Sequence, residues 1–485
     1  MVAVLLLPLV ALAQNEEDAL RVSDIRPGGT GRSTGMANAF GALGADGAAI
    51  GINPAGMGLF RITELSITPT LEINEARSTH YGNATTDARA KLLVNNFMLA
   101  IHNPGRQNGA WRSSTYGIAF DRQASMQWDR KAVGERVPGT ILQQFVNEAE
   151  GTPGGDLDSL FGFTSGLAWN TYAINPLDDS LAFTFVSAIP FGDVVRMEQT
   201  YEERGASSNT AFFYSGNYLD RLYVGAAVGI SSHRYERVTT HVETTLDQSE
   251  DLATLTYSED LSTTGGGIDL KVGVIGRVTD QFRLGAAYHS PCWLNLNDTY
   301  FTEMVTTFRT PDANGRTSYS AASPDGLFSY RVRTPWRMVF SGAYVFGKHG
   351  LVSVDYTYMD PRRMELRSED AGVYDFAAEN ARISSSFEPV HSVRAGTEWR
   401  HGNWYYRLGW GFAGNPYRAG DVRHGEPQRT YAGGLGYRTD HVGVDLGLNL
   451  VTRSGNYYQY DPELVEAVTE ERRSYRAMLT LSFRP

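Results

Sequence analysis

Two adjacent pairs, His289-Ser290 and His391-Ser392, have the residue types of nucleophilic acyl transfer, in which an imidazole takes the proton of an attacking hydroxyl. Their spacing defeats that use, because neighbours on a strand point to opposite faces and cannot hydrogen-bond side chain to side chain. The ten histidines include no metal-binding pair at helical spacing. A single cysteine, Cys292, excludes an internal disulfide, a thiolate metal cluster or a redox pair. No enzymatic activity, metal or cofactor is expected. The acidic run Glu243, Asp247, Glu250, Asp251, Glu259 and Asp260 has no Lys or Arg between His241 and Asp260 and no calcium-loop pattern, and reads as a solvated loop. A formal net charge of -11 argues against a nucleic-acid partner. Depending on where their segments point them, Arg283, Arg337, Arg394 and Arg407 are each able to hold a carboxylate bidentately, or to pair with other charges and hold the N-terminal segment, which is the commoner use.

Those segments alternate. From His441 to Thr452, Val442, Val444, Leu446, Leu448 and Leu450 take one parity while Gly443, Asp445, Gly447 and Asn449 take the other, which is the period of a strand. The rule repeats in Trp404, Tyr406, Leu408, Trp410 and Phe412 against Arg407, Gly409 and Gly411. It holds again in Leu222, Val224, Ala226, Val228 and Ile230 against Gly225 and Gly229. From about residue 62 onward some fourteen such segments follow one another, joined by connectors that are alternately short and long. Tight turns fall at 219–221, 278–281, 347–350, 400–403 and 438–441; long connectors fall near 129–205, 241–260, 301–327, 367–383, 414–428 and 460–470. A soluble sandwich would fill its polar parity with Lys, Glu and Thr; here Gly, Ser and Asn with isolated charges dominate, as in a crowded lumen. The fold class is therefore all-β, a transmembrane antiparallel barrel of about fourteen strands over residues 61–485, with short turns on the periplasmic rim. A mean hydropathy of -0.31 suits a barrel and excludes a helical bundle.

Parity assigns further roles. Asp269, Lys271, Arg283, Arg337, Asp355, Arg394, Glu398, Arg407, Asp445 and Arg476 should point into the lumen, pairing with each other or with whatever fills it. Cys292 shares parity with Leu284 and Tyr288 and should face lipid. Residues 209–218 are expected as one strand, with 194–204 at most an extension above the membrane. In the connector 129–205, Ile141, Leu142, Phe145, Val146 and Ala149 form one helical face, and Leu157, Leu160, Phe161 and Leu167 suggest another. Two such helices form either a capture groove or a small core capping the barrel.

Upstream, Met1 to Ala13 reads as a secretory signal closing on Ala11-Leu12-Ala13. Residues 14–60 are of a different kind, and the run Gly28 to Gly58 is too rich in Gly and Ala to bury a core alone. No phosphate-loop pattern and no preceding strand support a nucleotide site there. A barrel of this size has a lumen wider than its own side chains fill, and this segment is the expected plug.

The runs Gly35-Met36-Ala37-Asn38-Ala39-Phe40, Gly44-Ala45-Asp46-Gly47-Ala48-Ala49 and Asn53-Pro54-Ala55-Gly56 resemble the hatch of FadL-type outer-membrane transporters, with the family's NPA motif on Asn53, Pro54 and Ala55. The likeness is in particular to a divergent branch common in Bacteroidetes. It implies fourteen strands around an N-terminal hatch, an outer-membrane location beside lipopolysaccharide, and a monomer. It also implies transport of hydrophobic compounds such as long-chain fatty acids, captured at outer loops and released through the hatch or sideways. Family members place a lateral gap at the third strand, here about Arg112 to Trp128, where Gly117 is either a bulge or an ordinary small lumenal residue. A non-transporting barrel that docks cargo for protein secretion is the alternative. The chain departs from common barrels in ending Phe483-Arg484-Pro485, which displaces the terminal aromatic.

Overall fold

The computed structural model describes residues 15–26, 28–106, 109–178, 183–369 and 374–485; the expected signal segment lies outside them. Fourteen antiparallel staves close into a barrel. They are β1 (Glu64–His80), β2 (Asn83–Pro104), β3 (Trp111–Ser125, continued by Trp128–Pro138), β4 (Val194–Tyr218), β5 (Leu222–Thr245), β6 (Leu252–Arg277) and β7 (Phe282–His289, continued by Trp293–Phe308). The circuit runs on through β8 (Ser318–Ala322, Gly326–Arg333 and Arg337–Phe346), β9 (Gly350–Met359), β10 (Val390–His401), β11 (Trp404–Ala413), β12 (Gln428–Arg438), β13 (Val442–Tyr457) and β14 (Val468–Phe483). The ladder between β1 and β14, from Leu65 opposite Phe483 to Thr79 opposite Thr469, closes the circuit. Among the described residues no helix is long and apolar enough to cross a membrane.

The parity holds as read. Ile268, Leu270, Val272 and Val274 are exposed on the outer face of β6 while Asp269 and Lys271 are buried inside; Trp404, Tyr406, Leu408 and Trp410 face out on β11 while Arg407 is buried. On β1 the lumenal row is Ser66, Thr68, Thr70, Glu72 and Asn74, all buried, against exposed Leu65, Ile67, Leu71 and Ile73. Exposed Trp111, Trp399, Trp404 and Tyr437 stand near the short-turn end, where an aromatic girdle belongs. Hairpins are closed by residues that reach the left-handed region, such as Leu219-Asp220 at φ 55° each and Tyr81-Gly82 at φ 44° and 77°.

Three expectations need correction. The long connectors are shorter than the sequence suggests, because β4, β5 and β6 run for 25, 24 and 26 residues and stay paired far above the apolar band. Only 246–251 lies outside strands in the expected loop 241–260, and 194–204 belongs wholly to β4. Cys292 is buried rather than lipid-facing, since the break at Ser290-Pro291 inverts the parity of β7: Leu284 and Tyr288 point out, but Leu294 and Leu296 point in. Glu243 is fully buried, not solvated.

Above the break the lumen holds apolar cores. The connector 139–193 carries α4 (Leu142–Ala149), α5 (Leu157–Leu160) and α6 (Ser165–Asn170). Ile141, Leu142, Phe145 and Leu157 are buried with Leu252, Leu255, Met304 and Tyr460. Of the six residues expected to line a capture groove, these four form a capping core instead; Leu160 is exposed and Phe161 packs against the core's edge. Periodicity alone gives both outcomes, and the inward apolar residues of the tall strands decide for burial. Glu243 fastens α4: its carboxylate accepts from the Thr140 hydroxyl at 2.5 Å and the Ile141 amide at 2.8 Å, and contacts His241 Nε2 at 2.9 Å.

Replacing Glu243 with Ala leaves those donors buried without an acceptor, a loss of about 2–4 kcal/mol confined to the cap. We expect limited proteolysis to cut within 139–193 several times faster, with the barrel's β circular dichroism unchanged.

Candidate functional site: the hatch and the wall seam

The N-terminal segment enters the lumen from the long-loop end. α1 (Glu16–Ser23) begins with a capping box on Asn15, and Arg423 reaches it from the connector between β11 and β12, at 2.9 Å from Glu16 and 3.1 Å from Glu17. Hydrogen bonding from Arg423 holds the Asp421 carboxyl, 2.8 Å away, below its ordinary pKa. α2 (Gly31–Thr34) starts on a second capping box, Thr30 with Ser33, and the Gly31 amide donates to the Thr480 hydroxyl of β14 at 2.7 Å. Arg32 grips Glu398 of β10 with Nε and Nη2, both at 2.9 Å. Glu398 also accepts from Arg407 Nε at 2.6 Å, and Arg407 reaches Asp445 at 2.7 Å, which Arg438 contacts at 2.7 Å. Burial penalises the charge on Arg32, yet the Glu398 carboxylate holds its pKa above the usual value. Asp46 shows the opposite balance: burial raises its carboxyl pKa despite Arg32 and bonds from the Ala48 amide and Thr30.

Asp355 of β9 accepts from the Phe40 amide at 2.8 Å and the Gly41 amide at 2.9 Å. α3 (Ala49–Ile52) then leads into the motif Asn53-Pro54-Ala55, all buried. Asn53 folds the chain on itself, accepting from the Ala55 amide at 3.1 Å and donating to the Gly41 carbonyl at 2.8 Å and the Val274 carbonyl of β6 at 3.2 Å. The Ser215 hydroxyl of β4 donates to the Pro54 carbonyl at 2.6 Å. Close approach explains the lumenal glycines: a Cβ at Gly225 would stand 2.5 Å from Pro54, and one at Gly409 2.4 Å from Ala37.

One stretch of wall is not laced. β2 pairs with β3 only from Asn96 opposite Asp121 down to Pro104 opposite Ser113. Above that point β2 keeps its partner β1, while the continuation of β3 pairs with β4. The lips, Asn83 to Asn95 on one side and Trp128 to Pro138 on the other, are bridged by side chains. Asn83 donates to the Val133 carbonyl at 3.1 Å, Thr85 to the Lys131 carbonyl, and Arg89 meets Asp129 at 3.0 Å. Exposed Leu92 and Val94 beside the lower end put the start of this seam within the apolar band. Its cause is local. Pro69 of β1 has no amide hydrogen to give the ladder, the register slips between Thr68 and Pro69, and Asn95 becomes the extra residue of a bulge. The hatch closes the seam from inside: Gly28 donates to Asp121 at 3.1 Å, Asn95 to the Gly29 carbonyl at 2.8 Å, and the Arg26 amide to the Gln123 carbonyl at 3.0 Å.

No family model matches the sequence, and no curated protein matches it. Solved structures do. A FadL homologue from Pseudomonas aeruginosa superposes with a TM-score of 0.56 at 11% identity, covering 95% of this chain and 99% of that one. The toluene transporter TodX of P. putida gives 0.52 at 11%, covering 96% and 99%. The chain has the FadL fold.

Within this FadL-type barrel the expected site residues separate. Gly117 lies in regular ladder between Ala100 and Phe213, so the interruption sits higher on the same stave than expected. Of the four arginines named as carboxylate binders, Arg407 belongs to the charge lattice, Arg394 donates to the Thr357 hydroxyl at 3.0 Å, and Arg337 donates to the carbonyls of Ser23 and Ile25 in the hatch. Arg283 lines a cavity at the short-turn end. His289 contacts the Ile52 carbonyl at 3.0 Å and His391 the Tyr356 hydroxyl at 2.6 Å, so neither histidine engages its neighbouring serine. The seam residues Asn95, Asp121 and Gly28 went unread, although two signals mark them: consecutive Asn95-Asn96, both buried, and a proline inside an otherwise regular strand.

Asp355→Ala strands two hatch amides, and Gly225→Leu presses on Pro54; each should cost about 1–4 kcal/mol. Thermal unfolding in neutral detergent is expected to shift down for both, with residues 28–60 becoming accessible to protease while the barrel remains folded.

Proposed function

We propose that this barrel lies in a bacterial outer membrane and passes hydrophobic compounds, long-chain fatty acids among them, from the cell exterior to the seam between β2 and β3, where they leave sideways. The observation that carries the reading is the seam itself. Hydrocarbon offers no partner for a free strand edge, so an unlaced stretch within the apolar band is costly unless something else satisfies it. Here three hatch–wall hydrogen bonds and a few side chains do so, and they can be exchanged without unfolding a stave. Movement of Arg26, Gly28 and Gly29 would open the wall where lipid waits. The likeness to a barrel described as a toluene transporter supports an apolar cargo. Burial of each methylene is worth about 0.8 kcal/mol, so a direct exit from lumen to lipid spares cargo the cost of crossing water.

The seam carries the test. Thr85→Cys and Lys131→Cys stand on opposite lips, and a short bismaleimide should tie them. In a host lacking its own fatty-acid barrel, uptake of labelled oleate or toluene is expected with the double variant and should fall at least several-fold on cross-linking. Unchanged uptake after cross-linking would refute lateral release. No uptake by the unmodified protein, together with a secreted protein co-purifying on its loops, would favour the docking role instead.

A further inference from the structure

A cavity of about 430 Å³ opens at the short-turn end beneath the hatch. Six arginines line it, Arg32, Arg61, Arg277, Arg283, Arg438 and Arg484, against one carboxylate, Glu64. Three of the six are already matched: Arg32 by Glu398 at 2.9 Å, Arg438 by Asp445 at 2.7 Å and Arg484 by Glu64 at 2.7 Å. The others are not. Arg277 donates to the Asp220 carbonyl at 3.1 Å and has only the exposed Asp280 at 3.6 Å. Arg283, half-buried at the foot of β7, makes no ion pair among the described residues, and its Nε is buried without an acceptor. Arg61, in the link from hatch to β1, is exposed and likewise makes no ion pair among them.

We propose that this cavity is an oxyanion site, in which Arg283 and Arg61, with Arg277 behind them, hold a carboxylate or a phosphate. Around the cavity Arg32, Arg438 and Arg484 each face a carboxylate, as low dielectric demands, and higher in the lumen Arg337 donates to hatch carbonyls and Arg394 to Thr357. Arg283 has donors turned toward a space large enough for a ligand and no protein group to receive them. The neighbouring wall is apolar, made by Leu59, Phe60 and Ile62, so an anion with a short hydrocarbon tail has a surface for both ends. The cavity belongs to hatch and wall together, because Arg61 and Phe60 come from the N-terminal segment while Arg277 and Arg283 belong to β6 and β7. Bound anion would therefore tie the lower hatch to the barrel. The site stands whether or not the barrel transports anything.

Isothermal titration of the full chain in neutral detergent tests this, with inorganic phosphate, butyrate and butanol as probes. At least one oxyanion should bind, butanol should not, and affinity should fall as salt is raised. Arg283→Gln should weaken binding about tenfold or more, the loss expected for a charge-assisted pair of hydrogen bonds. Arg61→Gln, outside the barrel wall, should weaken it several-fold and carries the test if the first variant folds poorly. Arg234→Gln, on an upper stave beside Glu236, should change nothing. Tighter binding of butyrate assigns the site to carboxylate amphiphiles, and tighter phosphate to phosphoryl or inorganic anions; either supports the proposal. Absence of binding by either anion up to about 10 mM, or equal binding by the Arg283 and Arg61 variants, would overturn it.

Discussion

A peptide backbone in hydrocarbon must have its hydrogen-bonding groups satisfied by protein, and the architecture follows from how this chain meets that requirement. Around nearly the whole circumference the answer is the ladder, down to the closing register of β1 with β14. Between β2 and β3 the answer is different. Pro69 withholds one donor, Asn95 bulges inward, and the lattice resumes only at Asn96 opposite Asp121. At the foot of that stretch the hatch bonds the wall three times, the Arg26 amide to the Gln123 carbonyl, the Gly28 amide to the Asp121 carboxylate, and the Gly29 carbonyl to the Asn95 side chain. Wall and plug are thus one hydrogen-bonded system, and the weakest part of the wall is the part the plug completes.

The same requirement explains what the hatch is made of. Its short helices and turns leave many amides and carbonyls that cannot find partners within the segment, and the strands supply them: Asp355 accepts from two amides, and Thr480, Ser215 and the Val274 carbonyl each receive or donate one bond. Such bonds need short distances, and short distances need small residues on both sides. Gly and Ala in the hatch meet glycines on the wall, so the composition of residues 28–58 and the glycine parity of β5, β6, β11 and β13 are two halves of one contact. Charges enter the lumen on the same terms. Glu398 serves Arg32 and Arg407 together, and Asp445 serves Arg407 and Arg438, so burial is tolerated because each charge is shared.

Much of this is legible in the sequence, because a two-residue period has only one structural meaning and a run of small residues has few. The outward rows, the inward charges and the identity of the plug follow from those two facts. What escapes is whatever depends on partners distant in the chain. The height of β4, β5 and β6 is one case: above the lipid the outer row turns polar, alternation fades, and the strands read as loops. Cys292 is another, since parity propagates only until Ser290-Pro291 resets it. The helix faces at Ile141–Ala149 and Leu157–Leu167 are compatible with groove or core until Leu252, Leu255 and Met304 are seen to point at them. The seam is least legible of all, being an absence of pairing between residues 83–95 and 128–138; only Pro69 and Asn95-Asn96 hint at it.

The inversion of polarity along the staves bears on how cargo enters. Within the apolar band the barrel is greasy outside and polar inside; above it Asn295 and Asn297 face out while Leu294, Leu296, Tyr330 and Val332 turn inward onto α1 and onto α7 (Ala377–Ser386). The long-loop end therefore buries these rows against its helices, while Leu160, Tyr172, Phe183 and Phe191 of the connector 139–193 stay exposed. Under the proposed function, cargo would meet these exposed side chains first and then the cap's own core, reached by exchange. A chain inserting between α4 and the strands exposes apolar side chains only as it covers them, so the cost of parting the cap is offset, methylene for methylene, by burial of the guest. A polar solute has no such compensation and leaves the cap shut. Under the proposed function, selectivity for apolar molecules would then reside in the closing of the cap.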